Sequence, residues 1–134
     1  MNITVIDGHG GLLGAQVIKE ILAQFPDVCI TAVGTNAVAT AAMLKAGAHQ
    51  AATGENPVVV AARKADVIVG PIGIVIADSL GGEITPKMAV AVGQAEAVRI
   101  LIPMNKCDNL IAGVQECNTR TLIEDVIQKL RSLL

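Results

Sequence analysis

Apolar positions recur along this chain with two spacings, and their alternation sets out the elements. Ile3 to Ile6 is a short apolar run that ends at Asp7. Leu13, Val17, Ile18, Ile21 and Leu22 then recur at helical spacing up to about Phe25, where Pro26-Asp27 breaks the pattern. Val28 to Val33 is rich in β-branched residues and predicts a second strand. Gly34-Thr35-Asn36 is a turn in which Thr35 or Asn36 is a natural N-cap. An alanine-rich helix continues to Lys45, and Gly47 supplies its stop. His49 to Ala52 fits a short third strand, and Thr53-Gly54-Glu55-Asn56 is polar punctuation. Asn56-Pro57 looks like an N-cap and N1 proline opening a helix to about Lys64.

Asp66 to Val69 predicts a fourth strand, followed by Gly70-Pro71-Ile72-Gly73. Ile74 to Leu80 is ambiguous between loop and helical turn, and Gly81-Gly82 is a loop. Thr85-Pro86 starts a helix reaching about Ala97, and Arg99 to Ile102 is a fifth strand. Leu110 to Val114 has the composition of a sixth. Only seven residues separate it from the fifth. A parallel crossover takes roughly a dozen or more, so this strand is expected to be antiparallel. Thr121 with Glu124 forms a capping box, and Ile123, Val126, Ile127, Leu130 and Leu134 make one apolar stripe behind it.

This alternation predicts a single-domain, Rossmann-like, doubly wound α/β fold over residues 1–134. Its sheet is expected to be mostly parallel with an antiparallel edge strand. Composition agrees: 52% of residues are hydrophobic and Phe25 is the one aromatic residue. Such a Val, Ile, Leu and Ala core suits strands buried on both faces. The formal charge of −2 comes without a basic run, and the chain has no Trp or Tyr. A nucleic-acid partner, which needs a phosphate-neutralising patch or a stacking platform, is not expected. Nor is a membrane partner, because Gly70, Pro71 and Gly73 interrupt the longest apolar stretch. Cys29, Cys107 and Cys117 are an odd number without CxxC spacing, which fits a reducing cytoplasm. The opening MNITVIDG lacks the form of a signal peptide.

Ligands of doubly wound sheets bind beyond the carboxyl ends of the strands. Small, hydrogen-bonding residues gather there: Gly8-His9-Gly10-Gly11, Gly34-Thr35-Asn36, Thr53-Gly54, Gly70-Pro71-Ile72-Gly73 and Asn105. The opposite ends are plainer. The first loop, Gly8 to Gly14 including Leu12, is the sharpest element. It stands between a buried strand and an amphipathic helix, where glycines let the backbone approach a phosphate and a helix N-terminus offers free N–H groups. Its spacing is one residue longer than GxGxxG, unless Gly8 is an extra turn residue. The acidic residue that would hold ribose hydroxyls at the end of the second strand is missing, so NAD or NADP is a cofactor expectation without a fixed identity. The P-loop Lys is also absent.

Asp7 is expected to organise the loop. His9 is a candidate phosphate donor or acid-base group. His49 and Glu55 have plainer uses in packing and capping, and Glu83 and Lys87 read as solvated flanks of a cap. Cys107, beside Asn105 and Lys106, is a site-lining thiol.

The segments VIDGHGGLLG, AVGTNAVATAAMLKAGA, ATGENP, DVIVGPIGIVIA, GEITPKMA and ILIPMNKC together resemble the small bacterial proteins catalogued as domain of unknown function 3842. The resemblance covers nearly the whole chain. It implies a compact intracellular protein with a Rossmann-like start, and brings no reaction or catalytic residue.

The leading expectation is a binding protein for a nucleotide, dinucleotide or other phosphate-bearing ligand. The small residues Ala89, Ala91, Gly93, Ala95 and Ala97 suit either helix packing in a homodimer or close packing on the chain's own sheet. Two alternatives stand beside it. One is a regulatory or scaffold protein whose glycine loop is only a turn. The other is an enzyme for a small acid or phosphorylated metabolite, held by Asn36, Asn56, Asn105 and the Gly70–Gly73 backbone.

Overall fold

The computed structural model describes residues 1–104 and 108–134. Its elements are β1 (Asn2–Asp7), α1 (Leu12–Gln24), β2 (Cys29–Gly34), α2 (Ala37–Lys45), β3 (Gln50–Thr53) and α3 (Glu55–Lys64), followed by β4 (Val67–Pro71), α4 (Pro86–Gln94), β5 (Val98–Ile102) and α5 (Thr119–Leu133). A 3-10 turn, Ile72–Val75, follows β4.

The β-branched runs pair in parallel in the order β3-β2-β1-β4-β5. Ile3 and Val5 of β1 stand opposite Ile30 and Ala32 on one side and Val67 and Val69 on the other. Side chains alternate between the two faces of the sheet. Ile3, Val5, Ile30 and Val67 pack on one face with Val17, Ile18 and Ile21 of α1, Met43 of α2 and Leu130 of α5. Ile6, Val33 and Ile68 pack on the other with Val58 of α3 and Met88 and Val92 of α4. The chain first winds outward from β1 to β2 and β3. It then returns through α3 to place β4 on the far side of β1. The carboxyl ends of β1 and β4 are therefore the switch point, where such folds open a crevice.

The expected antiparallel edge strand does not form. Residues 110–114 hold no strand, and Leu110 is 97% exposed. Val114 N–H bonds Ile111 O at 3.2 Å across a turn whose third residue, Gly113, has φ +81°. A positive φ at that position is turn geometry and suits glycine. The segment leaves the apolar side chains of Leu110 and Val114 exposed, and the helix α5, not a sixth strand, packs on the sheet at β5.

Three helix ends differ from expectation. Gly54, at φ +106°, is the N-cap of α3, so Glu55, Asn56 and Pro57 all lie in its first turn. A proline is tolerated there because first-turn N–H groups have no intrahelical acceptor. α5 starts earlier than the Thr121-Glu124 box would place it. Asn118 is the cap, and its Oδ1 accepts from Thr121 N at 2.8 Å. α4 ends at Gln94, short of Ala97. Arg99 Nη1 donates to Ala95 O at 2.6 Å and Ala97 O at 3.2 Å, and so ties off the carbonyls beyond the helix.

Candidate functional site

The first loop leaves the sheet at Asp7 and turns into α1 within four residues. Gly11 N–H closes the turn on Gly8 O at 2.9 Å, with His9 at φ +49° and Gly11 at φ +73°. The Asp7 carboxylate, buried at 6% exposure, accepts from Gly8 N at 2.8 Å and Gly14 N at 2.7 Å. Asp7 thus staples the turn to the first turn of α1, the organising role expected of it. Burial raises its pKa above the ordinary 3.8, outweighing the two N–H bonds and the neighbouring His9.

The glycines of this loop divide into two kinds. A Cβ at Gly8 would meet Thr35 Oγ1 at 2.7 Å and Leu80 Cδ1 at 3.0 Å. One at Gly11 would meet Ala39 Cα at 2.7 Å, and one at Gly14 would meet Met43 Sδ at 2.6 Å. These three, spaced by three, are packing glycines, and Gly8 is the turn residue that lengthens the motif. Gly10 is exposed, and a Cβ there would have only Leu12 Cγ nearby, at 3.9 Å. Gly10, Leu12 and Leu13 carry N–H groups that find no acceptor among the described residues. They form the open start of α1, next to exposed His9 and Leu12.

The end of β2 lies against this loop. Thr35 N–H bonds Asp7 O at 3.0 Å. Asn36 caps α2 by accepting from Ala39 N at 2.9 Å, and its Nδ2 donates to His9 O at 2.9 Å. Thr35 and Asn36 therefore lie against Asp7 and His9, while Gly34 is buried beside Asp7 in the sheet.

A residue that sequence reasoning left in solvent joins Thr35, Asn36 and His9. Glu83 accepts at Oε1 from Thr35 Oγ1 at 2.6 Å, Asn36 Nδ2 at 2.7 Å and His9 N at 3.1 Å. Its Oε2 lies 3.1 Å from His9 Nδ1. Desolvation pushes the Glu83 pKa up, but the bonds from Thr35, Asn36 and the His9 backbone, with the imidazole, outweigh it and leave the pKa below the ordinary 4.5. No local pattern marks Glu83, because its partners stand 47 to 74 positions away. The adjoining Gly81-Gly82 pair, at φ +65° and +93°, was the one visible sign of a special turn.

The other candidate residues are placed differently. Thr53 Oγ1 meets Thr40 Oγ1 at 2.7 Å, and Gly54 N–H bonds Gly34 O at 2.9 Å, so both face α2 and β2. Gly70 and Pro71 are within β4, and a Cβ at Gly70 would stand 2.5 Å from Ile6 O. Gly73 is buried and its carbonyl accepts from Ser79 Oγ, while Ile72 is half-buried. Asn105 lies outside the described residues, as do Lys106 and Cys107. Glu55 Oε2 accepts from Thr85 Oγ1 at 2.5 Å, which links the starts of α3 and α4. His49 Nδ1 accepts from Ile30 N at 3.0 Å and so serves the edge of β2.

Among the described residues, no three His, Cys, Asp or Glu side chains gather as a metal site. No helix among them is long and apolar enough to cross a membrane. A groove of about 550 Å³ runs between α3 and the sheet, past Asn2, Cys29 and Gln50. It extends from those strand starts to Val33 and Ala52 near the carboxyl ends, and no residue of the glycine loop lines it.

Among solved structures, the chain is similar to a dodecameric FMN-dependent UbiX-like decarboxylase from Escherichia coli O157:H7, with 12% identity and a TM-score of 0.46 over 97% of this chain and 94% of that one. Comparison with curated proteins finds no match. A family model matches residues 2–134, and the chain belongs to that family, described as Domain of unknown function (DUF3842).

Proposed function

We propose that the protein binds the phosphate of a nucleotide, or of another phosphate-bearing small molecule, at the first loop. The observation that carries this reading is the trio of open N–H groups at Gly10, Leu12 and Leu13. They stand at the positive end of the α1 dipole, where an anion gains both hydrogen bonds and field. The glycine spacing does not carry it, since Gly8, Gly11 and Gly14 each have a packing reason of their own. Gly10 does add support. It is the loop glycine whose missing side chain leaves the backbone open to a ligand.

The cofactor class stays at phosphate recognition, without a choice between NAD and NADP. Thr35 and Asn36 replace the acidic residue that would hold a ribose at the end of β2. Both already bond Glu83.

Calorimetric titration with NAD, NADP, ATP, flavins and coenzyme A at millimolar concentration tests the proposal, with Gly10→Val as the control. The expected result is saturable binding of at least one of them, weakened at least about tenfold in Gly10→Val, roughly the loss of one charge-assisted hydrogen bond. The melting temperature of that variant should stay near the parent's. Absence of binding by the parent, or equal binding by Gly10→Val, would overturn the reading.

A further inference from the structure

Parallel strands covered on both faces read as near-continuous apolar runs. One face of this sheet obeys that rule, with Ile3, Val5, Ile30 and Ala32 packed in one cluster with α1 and α2. The other face departs from it beside α3. There Thr4 of β1 stands opposite Thr31 of β2, and Thr31 stands opposite Gln50 of β3. Side chains alternate along a strand, so Thr4 and Thr31 share the face of Ile6 and Val33. One hydrogen-bonding row thus crosses three strands, and all three of its residues line the groove between α3 and the sheet.

Thr4 is 3% exposed, and its hydroxyl has no hydrogen-bond partner among the described residues. No side-chain oxygen among them is both sealed from solvent and without a partner, so the Thr4 hydroxyl opens into the groove. A hydroxyl withdrawn from bulk water without a partner costs free energy, which a ligand's hydrogen bond recovers. The side chains of Thr31 and Gln50 are likewise unpartnered among the described residues. Facing this row, Pro57, Val60 and Ala61 of α3 make an apolar wall, and Lys64 in the last turn of α3 lines the groove as well. No acidic residue lines it, and Lys64 makes no ion pair with a described carboxylate. The nearby Asp66 carboxylate accepts instead from Asn2 N at 2.7 Å. At about 550 Å³, with an apolar wall and a few placed polar groups, the groove has the make-up of a metabolite-sized site.

We propose that this groove binds a small organic acid with an aliphatic body and a hydroxyl. The carboxylate pairs with Lys64, the chain lies along Pro57, Val60 and Ala61, and the hydroxyl bonds Thr4 and Thr31. One unpaired lysine matches one negative charge. A hydroxyl recessed to 3% exposure is reached by a slim ligand more readily than by the surface of a second copy of the chain. The site stands apart from the phosphate-binding reading, since no residue of the glycine loop lines it.

Cys29 lines the same groove and is exposed, so it reports on occupancy. The probes are 2-hydroxyhexanoate and 6-hydroxyhexanoate at millimolar concentration, with their amides as uncharged controls. Calorimetry gives the affinities, and peptide mapping follows alkylation of Cys29 by iodoacetamide against that of Cys117, which lies outside the groove. At least one acid should bind saturably and slow Cys29 alkylation about tenfold at ten times its Kd, leaving Cys117 unchanged. Lys64→Gln, and the amide in place of the acid, should each weaken binding at least about tenfold, the loss of a charge-assisted hydrogen bond. Thr4→Val should weaken it at least about threefold. That variant should melt no lower than the parent, because the hydroxyl it removes has no partner in the fold. Failure of both acids to bind and protect Cys29, or unchanged binding in Lys64→Gln or Thr4→Val, overturns the proposal. Cys29 protection that grows with protein concentration in the absence of acid overturns it as well, and makes the face an interface between copies. Should Thr4→Val lose its cooperative melting transition, the exposed-site variant Lys64→Gln and the protection of Cys29 in the parent decide.

Discussion

Asp7 and Glu83 both bond the first loop, yet their pKa values are displaced in opposite directions, Asp7 upward by burial and Glu83 downward by its hydrogen bonds. The difference lies in what each gains for the water it gives up. Asp7 is buried, and its two N–H partners do not repay its desolvation. Glu83 keeps partial contact with solvent and gains hydroxyl, amide, backbone and imidazole donors. Linkage turns this contrast into opposite pH slopes. A raised folded pKa means that the native state holds its proton more tightly. The contribution of Asp7 is then fully present below 3.8 and is lost as pH rises through the folded value. A lowered pKa means the reverse. The contribution of Glu83 is present above 4.5 and is lost as pH falls through the folded value. Urea denaturation of the parent, Asp7→Asn and Glu83→Gln across the acid range checks both signs. The stability gap between parent and Asp7→Asn should narrow as pH rises from 3.8. The gap to Glu83→Gln should narrow as pH falls below 4.5. Parallel curves for all three proteins would show that neither carboxylate titrates differently on folding.

At the scale of elements, the glycines of the first loop separate packing from access. Gly11→Ala places a side chain at φ +73° and 2.7 Å from the backbone of Ala39, where α1 crosses the start of α2. Strain and clash together should cost more than about 2 kcal/mol. Gly10→Ala meets open space and should change stability by less than about 0.5 kcal/mol. Thermal melts of the two variants measure the contrast, and equal losses would mean that the loop carries no such division of labour. The sequence made β1, α1 and the glycine loop legible because their cues are local: an apolar run, a helical stripe and a turn between them. It did the same for the Asn36 and Thr85 caps, where the capping side chain and its N–H are three residues apart. Leu110 to Val114 misled because β-branched composition is only half of a strand, the other half being a partner edge that this segment does not reach. Glu83 escaped for a related reason. Its environment is made by residues of β1 and β2, and only the return of the chain over the sheet brings them to it.

Across the whole molecule, α5 tests whether the fold is one cooperative unit. The helix is the last in the chain and follows the exposed segment at 108–118, which holds no regular element. One face of it, Ile123, Val126, Ile127 and Leu130, is nonetheless buried in the same cluster as Ile3 and Val5 of β1. Those two residues belong to the central strand, paired on both sides, so their amides should open only when the sheet itself comes apart. Leu130 is fully buried, and Leu130→Ala should cost about 2–5 kcal/mol in lost transfer energy and cavity. If stability is shared, hydrogen exchange at Ile3 and Val5 must quicken by a factor matching that loss, although they lie at the other end of the sequence. Amides at 108–118 should already exchange fast and respond little. A second pattern, in which only α5 amides quicken while those of β1 hold their rate, would make α5 a separable unit docked on a sheet that stands without it. The shared burial of Leu130 with β1 favours the first pattern.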